Sequence, residues 1–213
     1  MFVGHYSASL AAKAAEPRAP LWSYFIASQL LDVGWSVFVA LGIEKVRVDP
    51  QLPGSVFDLY HMPWTHSLLA AIGWSIIGGL AFRRLLRLPN RAAVFIGLVV
   101  FSHWILDFIV HRPDLLLFPG GPKVGLGLWN YPVLEETVEL GLLTTAAVWW
   151  AASLVRGEKT ELRAIGLVVL MIAMQAFVIA RPPSGGPLMI GSMVLAAYIV
   201  IAVAAWWVER ARS

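Results

Sequence analysis

The chain contains no cysteine. That excludes disulfides, thiolate nucleophiles and cysteine-held zinc, so any metal must be bound through nitrogen and oxygen; it carries no information about redox compartment. Charge is scarce as well: 14% of the 213 residues are charged and 59% are hydrophobic, far from the balance of an ordinary soluble domain. The net charge is +3, but the basic residues form short clusters between apolar runs. These act as orientation signals, which argues against a nucleic-acid partner. No repeat or low-complexity tract stands out. Met1 to Ala15 lack the basic start and long apolar run of a cleaved signal peptide, so this segment is expected to be retained.

What is abundant is apolar sequence of spanning length. Runs at Leu21 to Ile43, Trp64 to Leu86, Ala92 to Val110, Pro132 to Val155, Leu162 to Ala180 and Pro187 to Val208 each approach the ~20 residues that cross a bilayer. The expected fold is all-α: a polytopic membrane helical bundle of about six transmembrane helices. Too little chain is left for a separate soluble domain of ~100 residues, so residues 1–213 are expected to form a single integral membrane domain. Lys13 and Arg18 precede the first run, and Arg83, Arg84, Arg87 and Arg91 follow the second. Arg156, Lys159 and Arg163 follow the fourth, and Arg210 and Arg212 follow the sixth. With six spans all of these clusters lie on one side, and the positive-inside rule places both termini in the cytoplasm. Phe2 to Ala15 is too short to span. It either lies flat in the interface or enters the membrane as a half-helix buried among the others.

All five histidines, His5, His61, His66, His103 and His111, lie in the first 111 residues, so function is expected in residues 1–130, with 131–213 as supporting helices. An ionisable group in hydrocarbon costs at least ~2.5–3.5 kcal/mol, and such groups normally face a partner or a water-filled cavity. At ~1.5 Å per helical residue, counted from the basic end of each span, Asp32 lies roughly 17 Å up, His103 roughly 18 Å, Asp107 about 24 Å, and His66 and Glu139 about 25 Å. These depths fall between the midplane and the outer leaflet. His5 reaches roughly 12 Å if the N-terminal segment dips inward.

The strongest local motif is Ser102-His103-Trp104-Ile105-Leu106-Asp107, whose histidine and aspartate share one helix face, with His111 one turn further. Imidazole nitrogen and carboxylate oxygen so arranged suit zinc, manganese or iron, while a hydrogen-bonded structural pair is the competing reading. In His61-Met62-Pro63-Trp64-Thr65-His66-Ser67, Thr65 and Ser67 are placed to orient His66 by hydrogen bonds. The alternative is a polar helix start wetted by headgroups, the more natural reading for His61. Asp32 has no basic neighbour within a helical turn, so it must either hold a proton or meet a cation. Glu139 shares that ambiguity, whereas Glu135 and Glu136, nearer the outer end, are expected to be solvated.

At these residues the chain resembles the membrane-bound metal-dependent hydrolase family, also described as LexA-binding, inner-membrane-associated hydrolases (YdjM-like). The shared pattern is an early histidine, an acidic residue near the end of the next helix, a His-Arg-Gly-x-Thr-His-Ser element and a later Ser/His-x-x-x-Asp helix. Here these are His5, Asp32, His61 to Ser67 and His103 to Asp107. Met62-Pro63 stands in place of Arg-Gly, and a single Asp32 in place of a paired Pro-Asp-x-Asp. More distantly, the ligand order looks like that of zinc-dependent phospholipase C and P1-type nucleases, which would add His111 and Glu139.

The resemblance implies an integral protein of a bacterial inner membrane. It would carry a divalent metal, zinc first with manganese or iron as alternatives, held by His5, Asp32, His66, His103, Asp107 and His111. Asp32 and Glu139 are the candidate catalytic carboxylates. The expected reaction is hydrolysis of a phosphoester in a membrane lipid or lipid-like substrate at the outer half of the membrane, with Arg112 and Lys123 receiving an anionic headgroup. Two rivals stand beside it: a proton- or metal-coupled transporter, and a non-catalytic membrane scaffold.

Overall fold

The computed structural model describes residues 2–154 and 158–210; Arg156 and Arg212 lie outside them. A 3-10 turn at Val3–His5 leads into α1 (Tyr6–Ala15), α2 (Leu21–Ser28) and α3 (Leu30–Ala40). A hairpin of β1 (Lys45–Val48) and β2 (Phe57–His61) precedes α4 (Leu68–Leu86) and α5 (Asn90–Val110). A second, two-residue-stranded hairpin, β3 (Leu115–Leu116) with β4 (Lys123–Val124), precedes α6 (Pro132–Ser153), α7 (Glu158–Ala180) and α8 (Pro187–Glu209). Both strand pairs are antiparallel. The bulk of the chain is helical, as its apolar runs require.

The expectation of six spans is corrected. Among the described residues, four helices are long and apolar enough to cross a membrane, α4, α5, α7 from Glu161, and α8; α2 and α3 together make a fifth only if counted as one broken span with a 51° bend. The bend falls at Gln29, which lies outside both helices with ψ near 11°. Ser28 turns its hydroxyl back onto the Phe25 carbonyl, a bond that competes with regular helix geometry. A break of this kind is tolerated at membrane depth when protein surrounds it. The remaining helix, α6, is long enough but too polar: Glu135, Glu136 and Glu139 occupy its first two turns. Large aliphatic side chains lie exposed along the spanning helices, Ile76, Ile77, Val94, Leu98, Ile165 and Ile199 among them, as suits a surface solvated by lipid.

The N-terminal segment is a half-helix inside the bundle. Val3, His5, Tyr6 and Leu10 are all at most 1% exposed, and α1 packs against α6, α2 and α5. At its far end the Lys13 ammonium donates to the carbonyls of Pro17 and Ala19 and meets Glu209 at 2.6 Å. Arg91 reaches Glu16 at 3.2 Å, and Arg163 donates to the Trp207 carbonyl, so these basic residues gather at one end of the bundle. Arg18, bonded to Glu16 through two guanidinium nitrogens, holds that carboxyl below its usual range. The opposite end carries the two hairpins as a cap. There Arg112 donates to the carbonyls of Pro53 and Ser55 and to Asn130, and Lys123 to the carbonyl of Tyr60.

Helices α4 and α5 are held close by small residues, the device membrane helices use where apolar burial gives no driving force. A Cβ placed on Gly79 would lie 2.9 Å from the Ala93 carbonyl oxygen, whereas one on Gly73 of the same helix meets nothing within 4 Å. Backbone cannot step aside as a side chain can. Gly79→Ala is therefore expected to destabilise the bundle by about 1–3 kcal/mol, and Gly73→Ala to be neutral or slightly stabilising. Reversible unfolding in mixed micelles compares them; equal stability of the two variants would refute the close packing.

Candidate metal centre

Four segments far apart in sequence bring their polar groups to one point. The i,i+4 pair on α5 is formed as its spacing requires, with His103 Nε2 3.1 Å from Asp107 Oδ2. The N-terminal turn delivers His5, whose Nε2 lies 3.1 Å from Asp107 Oδ1 and whose ring stacks on His103 at 3.8 Å between centroids. His66, at the entry to α4, approaches Asp32 Oδ1 at 3.1 Å and Asp107 Oδ2 at 3.6 Å. His103 Nε2 is also 3.6 Å from Asp32 Oδ1, and His111 Nε2 is 3.4 Å from Asp107 Oδ1. His5, His66, His103, Asp107 and His111 are each at most 4% exposed. His5, His103 and Asp107 form one group whose ligand atoms lie within 4.8 Å of one another, and Asp32, His66 and His103 form another.

Ligands about 2.1 Å from a tetrahedral ion sit about 3.4 Å from one another. In the triad Asp32, His66 and His103 the nitrogen-to-oxygen edges measure 3.1 and 3.6 Å, and Asp107 stands 3.6 and 3.1 Å from the same two nitrogens. Each of the two groups could hold an ion, and they share His103.

The hydrogen bonds behind the ring nitrogens decide which atoms face inward. His103 Nδ1 lies 2.6 Å from the Ser28 carbonyl, an acceptor only, so that nitrogen carries the proton. The break after Ser28 thus serves the site. The Thr65 hydroxyl donates to Glu44 Oε2 at 2.6 Å, so its 2.7 Å contact with His66 Nδ1 is one in which it accepts. His111 Nδ1 contacts the Asp114 carboxylate at 2.9 Å. Three histidines therefore spend their Nδ1 protons on acceptors outside the cluster and turn Nε2 lone pairs toward two carboxylates. Partners of this sort behind the ring are what metal-binding histidines use to fix tautomer and orientation. Despite its short contacts, His103 Nε2 makes no hydrogen bond, and neither nitrogen of His5 does.

The structure also separates residues that sequence depth grouped together. Glu139 is occupied elsewhere: its Oε1 accepts the backbone N–H groups of Phe2 and Gly4, and its Oε2 accepts from Gln175. It clamps the turn that carries His5. Glu135, expected to be solvated, is buried at 5% exposed, and it forms with Glu136 and Glu139 a separate acidic trio. His61 stands exposed on β2, away from the cluster. Ser67 caps α4 by accepting from Ala70 N and does not hold His66; Thr65 does. Arg112 and Lys123 stitch the outer loops together and are absent from the lining of the cavity described next.

Residues not foreseen complete the centre. Glu44, 1% exposed, accepts from the N–H groups of Trp64 and Thr65 as well as from the Thr65 hydroxyl. Tyr198 on α8 donates to Asp32 Oδ2, leaving Oδ1 to the histidines. Trp129 covers His111 at 4.0 Å between ring centroids, and the loop that brings it crosses so near the chain that a Cβ on Gly125 would lie 2.6 Å from the His111 carbonyl oxygen. A cavity of about 420 Å³ opens onto Asp32, His66, Asp107 and His111. No protein-family model, curated protein or solved structure matches this chain.

The Thr65 relay yields a measurable consequence. Thr65→Val leaves His66 Nδ1–H facing a methyl group, and metal affinity is expected to fall about 10–100-fold, with Thr65→Ser restoring it. Competition against a chelator reads the affinity. An undiminished value in Thr65→Val would show that the ring is oriented by something else.

Proposed function

We propose that this chain is a membrane-embedded, metal-dependent hydrolase acting on a phosphoester of a lipid or lipid-like substrate. The observation that carries this reading is a pair of adjoining His/Asp groups, Asp32 with His66 and His103, and His5 with His103 and Asp107, whose ligand atoms lie close enough together to hold a metal ion. Zinc suits such a nitrogen and oxygen set, with manganese or iron as alternatives. The likeness to the membrane-bound metal-dependent hydrolase family supports the same conclusion from the order of His5, Asp32, His66, His103 and Asp107.

A divalent cation held by these residues would supply activated water at neutral pH and offset charge on the phosphoryl oxygens. The chain's own groups do the rest. Asp107 turns one oxygen to His66 and His103 and the other to His5 and His111, and with His5 and His103 it forms a group that could hold an ion beside the Asp32, His66 and His103 group. Asp32, held by Tyr198, is the carboxylate best placed to orient a water at the cavity wall, since it lines the cavity and is 18% exposed. By the positive-inside rule the basic end of the bundle faces the cytoplasm and the hairpin cap the outside, in a bacterial inner membrane. The end of α8 then lies on the cytoplasmic side, while the first residues rise into the bundle beside Glu139.

A non-catalytic scaffold is the rival that metal-free protein would favour: His66, His103 and His111, if protonated, would pair with Asp32, Asp107 and Asp114. A transporter remains the rival that metal content alone does not separate.

Purified protein in nanodiscs is expected to carry stoichiometric divalent metal and to hydrolyse a phosphodiester such as bis-p-nitrophenyl phosphate. His103→Ala is expected to lose both metal and turnover. Affinity should weaken on acidification, since protons compete for the imidazole lone pairs. Elemental analysis and a colorimetric assay test this: metal-free protein with unchanged behaviour in His103→Ala would refute the metal centre, and bound metal without turnover would favour transport.

A further inference from the structure

The cavity beside the centre has two unlike walls. One carries Asp32, His66, Asp107 and His111; the other is built from α7 and α8, through Met174, Phe177, Met193, Val194 and Ala197. Toward the cap it is closed by Leu59, Met62 and Trp129, each at most 7% exposed. Its apolar rim is open: Phe177 and Met193 line the cavity and yet are 63% and 43% exposed. Both belong to helices long and apolar enough to cross a membrane, and in a bilayer an opening between them would face acyl chains.

We infer that the α7–α8 wall is a binding site for a single alkyl chain, entered sideways from the bilayer between Phe177 and Met193, which places the phosphoryl group of a phosphorylated amphiphile against the His/Asp centre. This rests on the phosphoesterase reading and names the class of substrate: an alkyl or isoprenoid-like chain ending in a phosphate, with little bulk beyond it, because the cap closes the cavity past the centre. A volume of about 420 Å³ falls near the small end of the roughly 300–1,000 Å³ usual for ligand pockets, which suits one chain and not the two of a diacyl lipid.

The test is a chain-length series of water-soluble phosphates, methyl, butyl, hexyl and octyl phosphate, titrated into the metal-loaded full chain in nanodiscs. Burial of each methylene is expected to tighten binding about fourfold. Ala197→Trp, which fills the apolar wall, is expected to flatten the series while metal content stays at the wild-type level; Ala173→Trp, on the facing helix, gives a second variant should the first fold poorly. A series that is flat in the wild type, or equally steep in both tryptophan variants, overturns the alkyl site and leaves the phosphoesterase reading standing. Failure of every phosphate to bind the metal-loaded protein overturns both.

Discussion

The structure turns on a shortage of donor protons among buried groups. Three imidazoles give up their Nδ1 hydrogens to Ser28, Thr65 and Asp114 and present lone pairs to two carboxylates. A buried acceptor opposite another acceptor is destabilising unless something positive stands between them. Acceptors surrounding these rings therefore mark this as a place that could hold a cation, beyond what the identities of the ligands indicate. A histidine with a free choice of tautomer could have satisfied a neighbouring aspartate unaided.

Much of the fold can be read as the means of building that arrangement. Continuing α2 straight into α3 would leave the Ser28 carbonyl inside a regular helix; the bend at Gln29 goes with its acceptance of His103. The half-helix is long enough to carry His5 up to Asp107 while Lys13 anchors its lower end against Glu209. Its upper end is set by Glu139, whose carboxylate accepts two N–H groups of the turn. The cap supplies Glu44 behind His66 and Trp129 over His111. Residues from 131 onward are thus more than support, since α6 positions His5 and α8 positions Asp32.

The legible part of the site is the part written at short range. His103 and Asp107 meet because four residues on a helix bring them to one face, and Thr65 holds His66 because it is its neighbour. Depth counted from the basic clusters brought Asp32 into the same layer correctly, because helices of similar length start from one end of the bundle. The same count placed Glu139 there too and could not show which way it faces; depth is one coordinate of three. Glu44 and Tyr198 carry no local signal, the first being 21 residues from Thr65 and the second 166 from Asp32 in sequence. The six-span expectation failed where apolar length was counted without asking what a helix contacts: α6 turns its glutamates into the protein, and α2 and α3 break where the site needs a carbonyl.

Cost separates function from architecture. Two aspartates at membrane depth cost roughly 5–7 kcal/mol even on the mild insertion scale, comparable to the whole net stability of many folded domains. Helix packing of the kind seen at Gly79 and Gly97 holds a bundle together without any such expense. Among the partners of Asp32 are the Tyr198 hydroxyl on one oxygen and histidine nitrogens near the other, and histidine nitrogens also stand close to both oxygens of Asp107. A cation held among these groups would face both the histidine lone pairs and the carboxylates at once, and the apolar cavity opens beside that position.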